Sequence, residues 1–131
     1  VNHSLKAAEI LKQRGIEAEV VNARFAKPLD TVMIDDLCSR FDKIITVEDG
    51  QVQGGFGSGV LEYVGTKHNR NVDMLMHGIP DRFIEHGTQT ELYHDLLLDA
   101  KGIAFVTEQF LTGTPQYDFP FVFQNGNYET K

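Results

Sequence analysis

The sequence predicts an α/β fold, a three-layer α/β/α sandwich with a mainly parallel sheet. Short apolar runs alternate along the chain with longer segments whose apolar residues recur at helical spacing. Residues 43–48 (Lys-Ile-Ile-Thr-Val-Glu) have the β-branched composition of a strand covered on both faces, and residues 72–76 form a second apolar run. This alternation is typical of parallel βαβ units with helices packed on the sheet.

The N-terminal segment predicts a helix followed by a strand. Leu5, Ala8 and Leu11 fall on one face of the helix, and Gly15 stands where a C-cap is expected. Residues 18–21 (Ala-Glu-Val-Val) then predict a short buried strand.

The middle of the chain predicts two further helices, one before and one after the strand at 43–48 in the sequence. Asp30 or Thr31 can cap the first of them. Its apolar face has the spacing i, i+3, i+4, i+7, at Ile34, Leu37, Cys38 and Phe41. After the strand, the glycine-rich residues 54–59 lead into a helix that carries Val60, Leu61 and Val64.

Cap signals also precede the last helices. Residues 88–91 (Thr-Gln-Thr-Glu) form a capping-box pattern, and Asp99 can cap a final helix. That final helix carries the apolar residues Ile103, Val106 and Phe110. We expect one domain over residues 1–111 and a separate aromatic-rich tail of unknown role over residues 112–131.

The aromatic tail has two interpretations. Its aromatic residues alternate with period two and precede Asn125-Gly126, a dipeptide favoured in tight hairpins. They are Tyr117, Phe119, Phe121 and Phe123. We favour an extra edge hairpin or an irregular tail over an aromatic arm that docks on a partner.

The first predicted helix has no strand ahead of it, although each later crossover helix does. The chain starts at Val1, without a methionine. We therefore expect the first strand of the sheet to be missing from this chain, because buried parallel sheets seldom leave an open position. The alternative is a small fold with an unattached N-terminal helix.

Composition limits the classes of partner. The chain has 131 residues, a mass of 14.7 kDa and a formal net charge of −7. The acidic balance argues against nucleic acid or an anionic membrane as a partner, since both favour a cationic surface. Apolar runs fall short of the roughly 18–20 residues that a membrane span needs. Cys38 is the single cysteine, which predicts a reducing compartment, the cytoplasm.

The glycine-rich loop is the first candidate site. Backbone amides at Gly55, Gly57 and Ser58 lie where a loop enters a helix, and such amides can hold an anion. The spacing is neither G-x-G-x-x-G nor a P-loop. We favour a tight turn for close helix–sheet packing over a phosphate-binding loop, and an interface loop is also possible.

A second candidate is the polar turn after the strand at 72–76, because ligands gather at the carboxyl ends of parallel strands. Its candidate residues are His77, Asp81, Arg82 and His86. A histidine bonded to a nearby carbonyl is the commoner outcome. The histidine spacing gives no zinc motif, and we expect no catalytic residue, no cofactor-binding residue and no metal ligand. Two acids, Glu48 and Asp49, end the preceding strand, where they can bind a cation, cap a turn or pair with an arginine.

Several segments together resemble the C-terminal domain of the transketolase family. Residues 21–30 resemble the segment after its second strand, and residues 46–50 followed by 54–58 resemble the next motif. Residues 78–87 (Gly-Ile-Pro-Asp-Arg-Phe-Ile-Glu-His-Gly) are the most specific, and they are similar to 1-deoxy-D-xylulose-5-phosphate synthases. Residues 98–103 also fit. The resemblance covers about residues 5–111.

The resemblance implies a domain of a larger homodimeric enzyme that depends on thiamine diphosphate and magnesium. Such enzymes condense pyruvate with D-glyceraldehyde 3-phosphate, releasing carbon dioxide and forming 1-deoxy-D-xylulose 5-phosphate. In the family the cofactor lies between two other domains, and the C-terminal domain supports them and the dimer contact. The resemblance also places a central strand ahead of the first helix.

For this chain, the resemblance implies no activity and no cofactor when it is alone, with the other domains and a second subunit as partners. Two alternatives stay open: a stand-alone phosphate-binding or dimerisation module, and the equivalent domain of another transketolase-family enzyme.

Overall fold

The computed structural model describes residues 2–22, 29–51, 55–67, 72–79, 91, 94–112, 121–124 and 127–130. They belong to two compact units. The first comprises Val1–Asn22 and Arg82–Tyr117, and the second comprises Ala23–Asp81 and Asp118–Lys131. In chain order the helices and strands are α1 Asn2–Gln13, α2 Thr31–Arg40, β1 Lys43–Gln51, α3 Phe56–Lys67, β2 Asp73–Ile79, α4 Ala100–Thr112, β3 Phe121–Gln124 and β4 Asn127–Thr130. The boundary expected after residue 111 stays a prediction.

The second unit contains a four-stranded sheet in the order β1-β2-β3-β4. β1 and β2 are parallel, with Lys43 opposite Asp73 and Val47 opposite His77. β3 and β4 are antiparallel to their neighbours. The alternation of helices and strands and the parallel pair confirm the predicted α/β class.

Two strand predictions were wrong in detail. Residues 16–22 take no regular secondary structure, and Val21 exposes 38% of its surface, so the strand expected at 18–21 is not formed. A strand requires a hydrogen-bonded neighbour, and the composition of a segment does not provide one. β2 continues to Ile79 instead of ending before His77, because its pairing with β1 extends to Gln51 opposite Ile79.

The predicted helix ends are largely confirmed. The Asp30 side chain accepts the Met33 N–H at 3.0 Å and caps α2, and the Asp99 side chain accepts the Gly102 N–H at 2.8 Å and caps α4. Gly15 has φ +81° at the end of α1, and its N–H donates to the Lys12 carbonyl. These bonds satisfy backbone groups that a helix end otherwise leaves without partners. The capping box predicted at 88–91 lies almost wholly outside the described residues.

The core of the second unit forms where α2 and α3 meet the parallel strands. Ile34 of α2, Val60 and Val64 of α3 and Met74 of β2 are each no more than 4% exposed. Val72, just before β2, completes the cluster. Burying each such side chain contributes roughly 1.5–3 kcal/mol, so this cluster is a main source of stability for the unit.

In the first unit, α1 packs against α4. Ala7 and Leu11 are the buried residues of α1, whereas Leu5 is 50% exposed, so the predicted buried face was shifted. Ala7 and Leu11 are four residues apart and therefore share one face of the helix. The predicted apolar residues of α4 are confirmed as buried: Ile103, Val106 and Phe110.

The C-terminal residues form a hairpin that extends the sheet. β3 pairs with β2, with Met74 opposite Phe123, and β4 pairs with β3, with Gln124 opposite Asn127. That register leaves a two-residue connection, the length that Asn-Gly favours. The edge-hairpin interpretation of the tail is therefore confirmed, although Tyr117, Phe119 and the connecting residues lie outside the described part.

A close backbone approach fixes the start of α4. Leu97 adopts a left-handed conformation with φ 58°, which is uncommon for a bulky side chain. A Cβ atom added to Gly102 would lie 2.6 Å from the carbonyl carbon of Leu97 and 2.7 Å from its oxygen. Because these are backbone atoms, a side chain at position 102 cannot be accommodated by a rotamer change.

We predict that Gly102→Ala lowers the free energy of unfolding by about 1–3 kcal/mol, since the added methyl group overlaps the Leu97 backbone. Urea denaturation followed by circular dichroism measures the change. The matched control is Gly65→Ala in α3, where an added Cβ meets nothing within 4 Å. That variant should gain about 0.5–1 kcal/mol from helix propensity alone. Equal stabilities for the two variants would contradict the close contact.

Candidate functional site

The carboxyl end of β1 holds the start of α3. Glu48 is in β1, and its side chain accepts two backbone hydrogen bonds from the first turn of the helix. The Phe56 N–H donates to Oε1 at 3.1 Å, and the Gly57 N–H donates to Oε2 at 2.9 Å. Both carboxylate oxygens therefore satisfy N–H groups that have no partner within the helix.

This arrangement is an anion site that the chain fills itself. Helix N-termini attract negative charge because their exposed N–H groups and the aligned peptide dipoles are positive. Glu48 is partly buried, so its attraction to the two amides is less screened than at an exposed helix end. Each charge-assisted hydrogen bond of this type contributes roughly 1.5–3 kcal/mol to stability.

Gly57 brings the helix close to the sheet. A Cβ at this position would lie 2.5 Å from Thr46 Oγ1, 3.0 Å from Glu48 Oε2 and 3.1 Å from Met76 Cγ. Even the smallest side chain would force either these side chains or α3 itself to shift. The packing interpretation of the glycine-rich loop thus has a specific physical basis at Gly57.

Thr46 lies beneath this contact as a buried polar group. It is 6% exposed, and its Oγ1 has no hydrogen-bond partner among the residues that the structure describes. A buried hydroxyl without a partner costs roughly 1–3 kcal/mol. The close approach of Gly57 to the strands is therefore accompanied by the cost of an unpaired Thr46 hydroxyl.

The predicted anion-binding residues lie around this contact. Gly55 precedes α3, its carbonyl accepts the Gly59 N–H at 3.3 Å, and Ser58 is partly buried in the first turn. A phosphate on the amide of Gly57 would have to displace the Glu48 carboxylate. Anion binding or an interface role for Gly55, Gly57 and Ser58 stays a prediction.

Of the second candidate site, only His77 lies among the described residues. His77 is 4% exposed in β2, and it alternates along the strand with Met76, so its side chain leaves the opposite face from Thr46 and Met76. The structure therefore does not join His77 to the Glu48 contact. Asp81, Arg82 and His86 lie outside the described residues, and a polar site there stays a prediction.

A polar link between α2 and α3 was not found from the sequence. The Tyr63 hydroxyl donates to Asp35 Oδ1 at 2.8 Å, and this hydrogen bond raises the pKa of Tyr63. Burial, followed by the nearby Asp35 charge, raises the pKa of the Cys38 thiol. A thiol whose pKa is raised is a poorer nucleophile at neutral pH, in line with a packing role for Cys38. Asp35 and Tyr63 are 28 residues apart, and no sequence pattern identifies two residues at that separation as hydrogen-bond partners.

The described residues do not fit a thiamine diphosphate–magnesium site. Within the part of the chain that the structure describes, no three His, Cys, Asp or Glu side chains are grouped to hold a metal ion. Magnesium prefers carboxylate and other oxygen ligands, and both oxygens of Glu48 are engaged by amides. Among the same residues, no helix has the length and apolar character needed to cross a bilayer.

We predict that Glu48→Gln lowers the free energy of unfolding by about 1–2 kcal/mol, because the amide loses the charge and turns an NH₂ group toward a backbone N–H. Thermal and urea unfolding measure the loss. The control is Asp30→Asn, which changes the same charge at the α2 cap but keeps an equally good capping oxygen. The proposed role of Glu48 fails if the two variants lose equal stability.

Comparisons with known proteins agree on the family. The transketolase C-terminal domain family matches residues 1–103. The 1-deoxy-D-xylulose-5-phosphate synthase 1 of Geobacter sulfurreducens is 50% identical over 108 residues, which are 82% of this chain and 17% of the relative. The synthase of Aquifex aeolicus is 48% identical over 115 residues, covering 86% of this chain and 18% of its own length.

A solved structure gives the same assignment of fold. A protein described as a split gene transketolase, an inactive beta4 tetramer, superposes on this chain with a TM-score of 0.76 and a sequence identity of 28%. The superposition covers 85% of this chain and 36% of the transketolase chain. This chain spans less than a fifth of the length of the two synthases above. With the family match over residues 1–103, these findings show that the chain belongs to the transketolase C-terminal domain family.

Proposed function

We propose that this chain is the C-terminal domain of a 1-deoxy-D-xylulose-5-phosphate synthase and that it supports the other domains and the dimer contact of that enzyme. The observation that carries the proposal is the identity of 50% to one such synthase over 82% of the chain. The parent enzyme would join pyruvate and D-glyceraldehyde 3-phosphate, with release of carbon dioxide, as a homodimer in the cytoplasm.

The local geometry supports a structural role for two of the motifs that carry the resemblance. In residues 46–50 and 54–58, Glu48 caps α3 and Gly57 permits close packing. In residues 98–103, Asp99 caps α4 and Gly102 lies against the Leu97 backbone. These residues hold the backbone at the start of a helix in place. None of them could react with a substrate without losing the contacts that fix that helix start.

The chemistry of the reaction supports the same division of labour. In the parent enzyme, thiamine diphosphate bound with magnesium would supply the electron sink that decarboxylation of pyruvate needs. The described residues offer no group of ligands for that metal. We therefore assign the cofactor and the reacting groups to the other domains, and we expect this chain to be inactive alone.

We predict that this chain can replace the matching segment of the Geobacter sulfurreducens synthase with activity kept within about tenfold. The chimera is assayed for 1-deoxy-D-xylulose 5-phosphate from pyruvate and D-glyceraldehyde 3-phosphate. It should work because half of the matched residues are identical and the domain supplies support, not chemistry.

The matched control for this exchange is a chimera that carries the Aquifex aeolicus segment, which is itself 48% identical to this chain. A host enzyme with the segment deleted gives the background rate. The proposal is wrong if the Aquifex chimera is active while the chimera with this chain folds, keeps the host oligomeric state and forms no product. Activity of an equivalent chimera in a transketolase host alone would point to another enzyme of the family.

We predict that titration of thiamine diphosphate and magnesium into this chain gives no heat of binding in isothermal calorimetry. The intact Geobacter synthase serves as the positive control under the same buffer conditions. Micromolar binding by this chain would overturn the assignment of the cofactor to other domains, whatever the outcome of the chimera.

A further inference from the structure

The outer edge of β2, the edge that faces away from β1, is occupied by the C-terminal hairpin of β3 and β4. The Asp73 N–H donates to the Asp42 carbonyl at 2.8 Å, so the backbone groups of Asp73 and Leu75 point toward β1. Because these directions alternate along a strand, the groups of Met74 point to the outer edge, where Met74 lies opposite Phe123 of β3. Met74 and Phe123 are therefore a hydrogen-bonded pair of the antiparallel ladder.

Without the hairpin, β2 would form an exposed sheet edge that can pair with another strand. Natural edge strands are very short, or they carry charges, prolines or bulges. β2 has seven residues, and residues 74–77 (Met-Leu-Met-His) include no proline and none of Asp, Glu, Lys or Arg. Each of these four residues is no more than 4% exposed. The middle of β2 therefore has the composition and burial of an interior strand.

The hairpin replaces this edge with one that has the protective features. β3 lies between β2 and β4, so within the described part of the chain the sheet ends on this side at β4. β4 has four residues, and one of them is the acidic Glu129. A short strand that carries a charge is a poor template for a further strand.

The hairpin lies outside the part of the chain that matches the family. That match covers residues 1–103, and β3 begins at Phe121. Membership of the family therefore assigns the hairpin no role. Its position in the sheet is the observation that does, since β3 pairs with β2 and β4 lies beyond it.

We propose that the C-terminal hairpin prevents the outer edge of β2 from pairing with the same edge of a second copy of this chain. When the bonds between β3 and β2 are lost, two β2 strands pair antiparallel across a two-fold axis. This proposal goes beyond the proposed function, because it concerns association of the chain and not the reaction of an enzyme.

The sequence of β2 fits a second copy as the partner of its outer edge. In an antiparallel pair, residues whose backbone groups point outward lie opposite one another. With Leu75 at the two-fold axis, Met74 of each chain lies opposite Met76 of the other, and both of these residues point their groups to the outer edge. The pairing brings no like charges together, because residues 74–76 are uncharged. A contact of this symmetry closes on itself and gives a dimer.

The test uses two proline variants of the full chain that alter different edges of the hairpin. Phe123 and Tyr128 lie opposite each other in β3 and β4. Phe123 points its N–H toward β2, so Tyr128 points its N–H away from β3, to the outer edge of β4. Phe123→Pro therefore removes a hydrogen bond to β2. Tyr128→Pro removes a donor on the outer edge, where proline is tolerated, and is the matched control.

Residue-resolved hydrogen exchange and sedimentation are measured on the unmodified chain and on both variants at low and high protein concentration. In dilute solution, the Met74 amide of Phe123→Pro should exchange about tenfold or more faster than that of Tyr128→Pro. At high concentration, Phe123→Pro should dimerise beyond any association of the unmodified chain, and its Met74 amide should regain protection. The Leu75 amide faces β1 in every variant and reports whether the sheet remains folded.

The proposal is overturned if the Met74 amide exchanges at the same rate in Phe123→Pro and in Tyr128→Pro, since the hairpin then does not cover the edge. It is also overturned if the Met74 amide of Phe123→Pro stays unprotected at high concentration, whether or not a dimer forms, because the exposed edge then does not pair. Neither readout depends on enzyme activity, so failure here is distinct from failure of the chimera.

A second pair of variants covers the case in which Phe123→Pro does not fold and the Leu75 amide loses its protection. Phe121 and Thr130 also lie opposite each other in the hairpin, two residues away from the first pair. By the same alternation, Phe121 points its N–H toward β2 and Thr130 points its N–H outward. Phe121→Pro and Thr130→Pro should therefore differ in Met74 exchange and in association as the first pair does, and equal behaviour would overturn the proposal.

Discussion

The short distance between α3 and the ends of the parallel strands is the constraint on which the second unit depends. Gly57 leaves no room for a side chain above Thr46 and Met76, and Glu48 holds the first amides of the helix from β1. The two interactions depend on each other. A larger residue at position 57 would crowd the Glu48 carboxylate, and loss of the carboxylate would leave the amides at the close contact without partners. With its first turn fixed, the helix can place Val64 in the core.

The features that sequence could predict are those decided by neighbouring residues. The caps at Asp30 and Asp99 and the left-handed Gly15 each follow from the chemistry of a few consecutive residues, and all three are found. The strand at 43–48 was predicted for a similar reason, since β-branched residues fit a buried pleated surface. The family also followed from local motifs, and in two of them Glu48 and Asp99 hold the start of a helix.

The features that sequence could not predict depend on distant partners. Residues 18–21 have strand composition but form no strand, because pairing is set by the neighbour and not by the run itself. Glu48 had three open roles in the sequence, and only the position of α3 selects the capping role. The bond between Tyr63 and Asp35 joins two helices whose relative rotation no local pattern reveals. Leu97 has a left-handed backbone conformation, which its sequence could not predict because bulky apolar residues rarely adopt it.

The Glu48 contact also shows why a motif in an enzyme domain need not mark its chemistry. A glycine-rich turn at a helix N-terminus is suited to phosphate because its amides are unpaired and positive. Here the preceding strand supplies the anion, so the feature that attracts a ligand elsewhere fastens a helix to a sheet. Both oxygens of that carboxylate are used, and a Cβ at Gly57 would collide with the strand side chains. A substitution in this motif would therefore alter activity of a parent enzyme through the packing of the domain, and thermal stability would fall together with the rate.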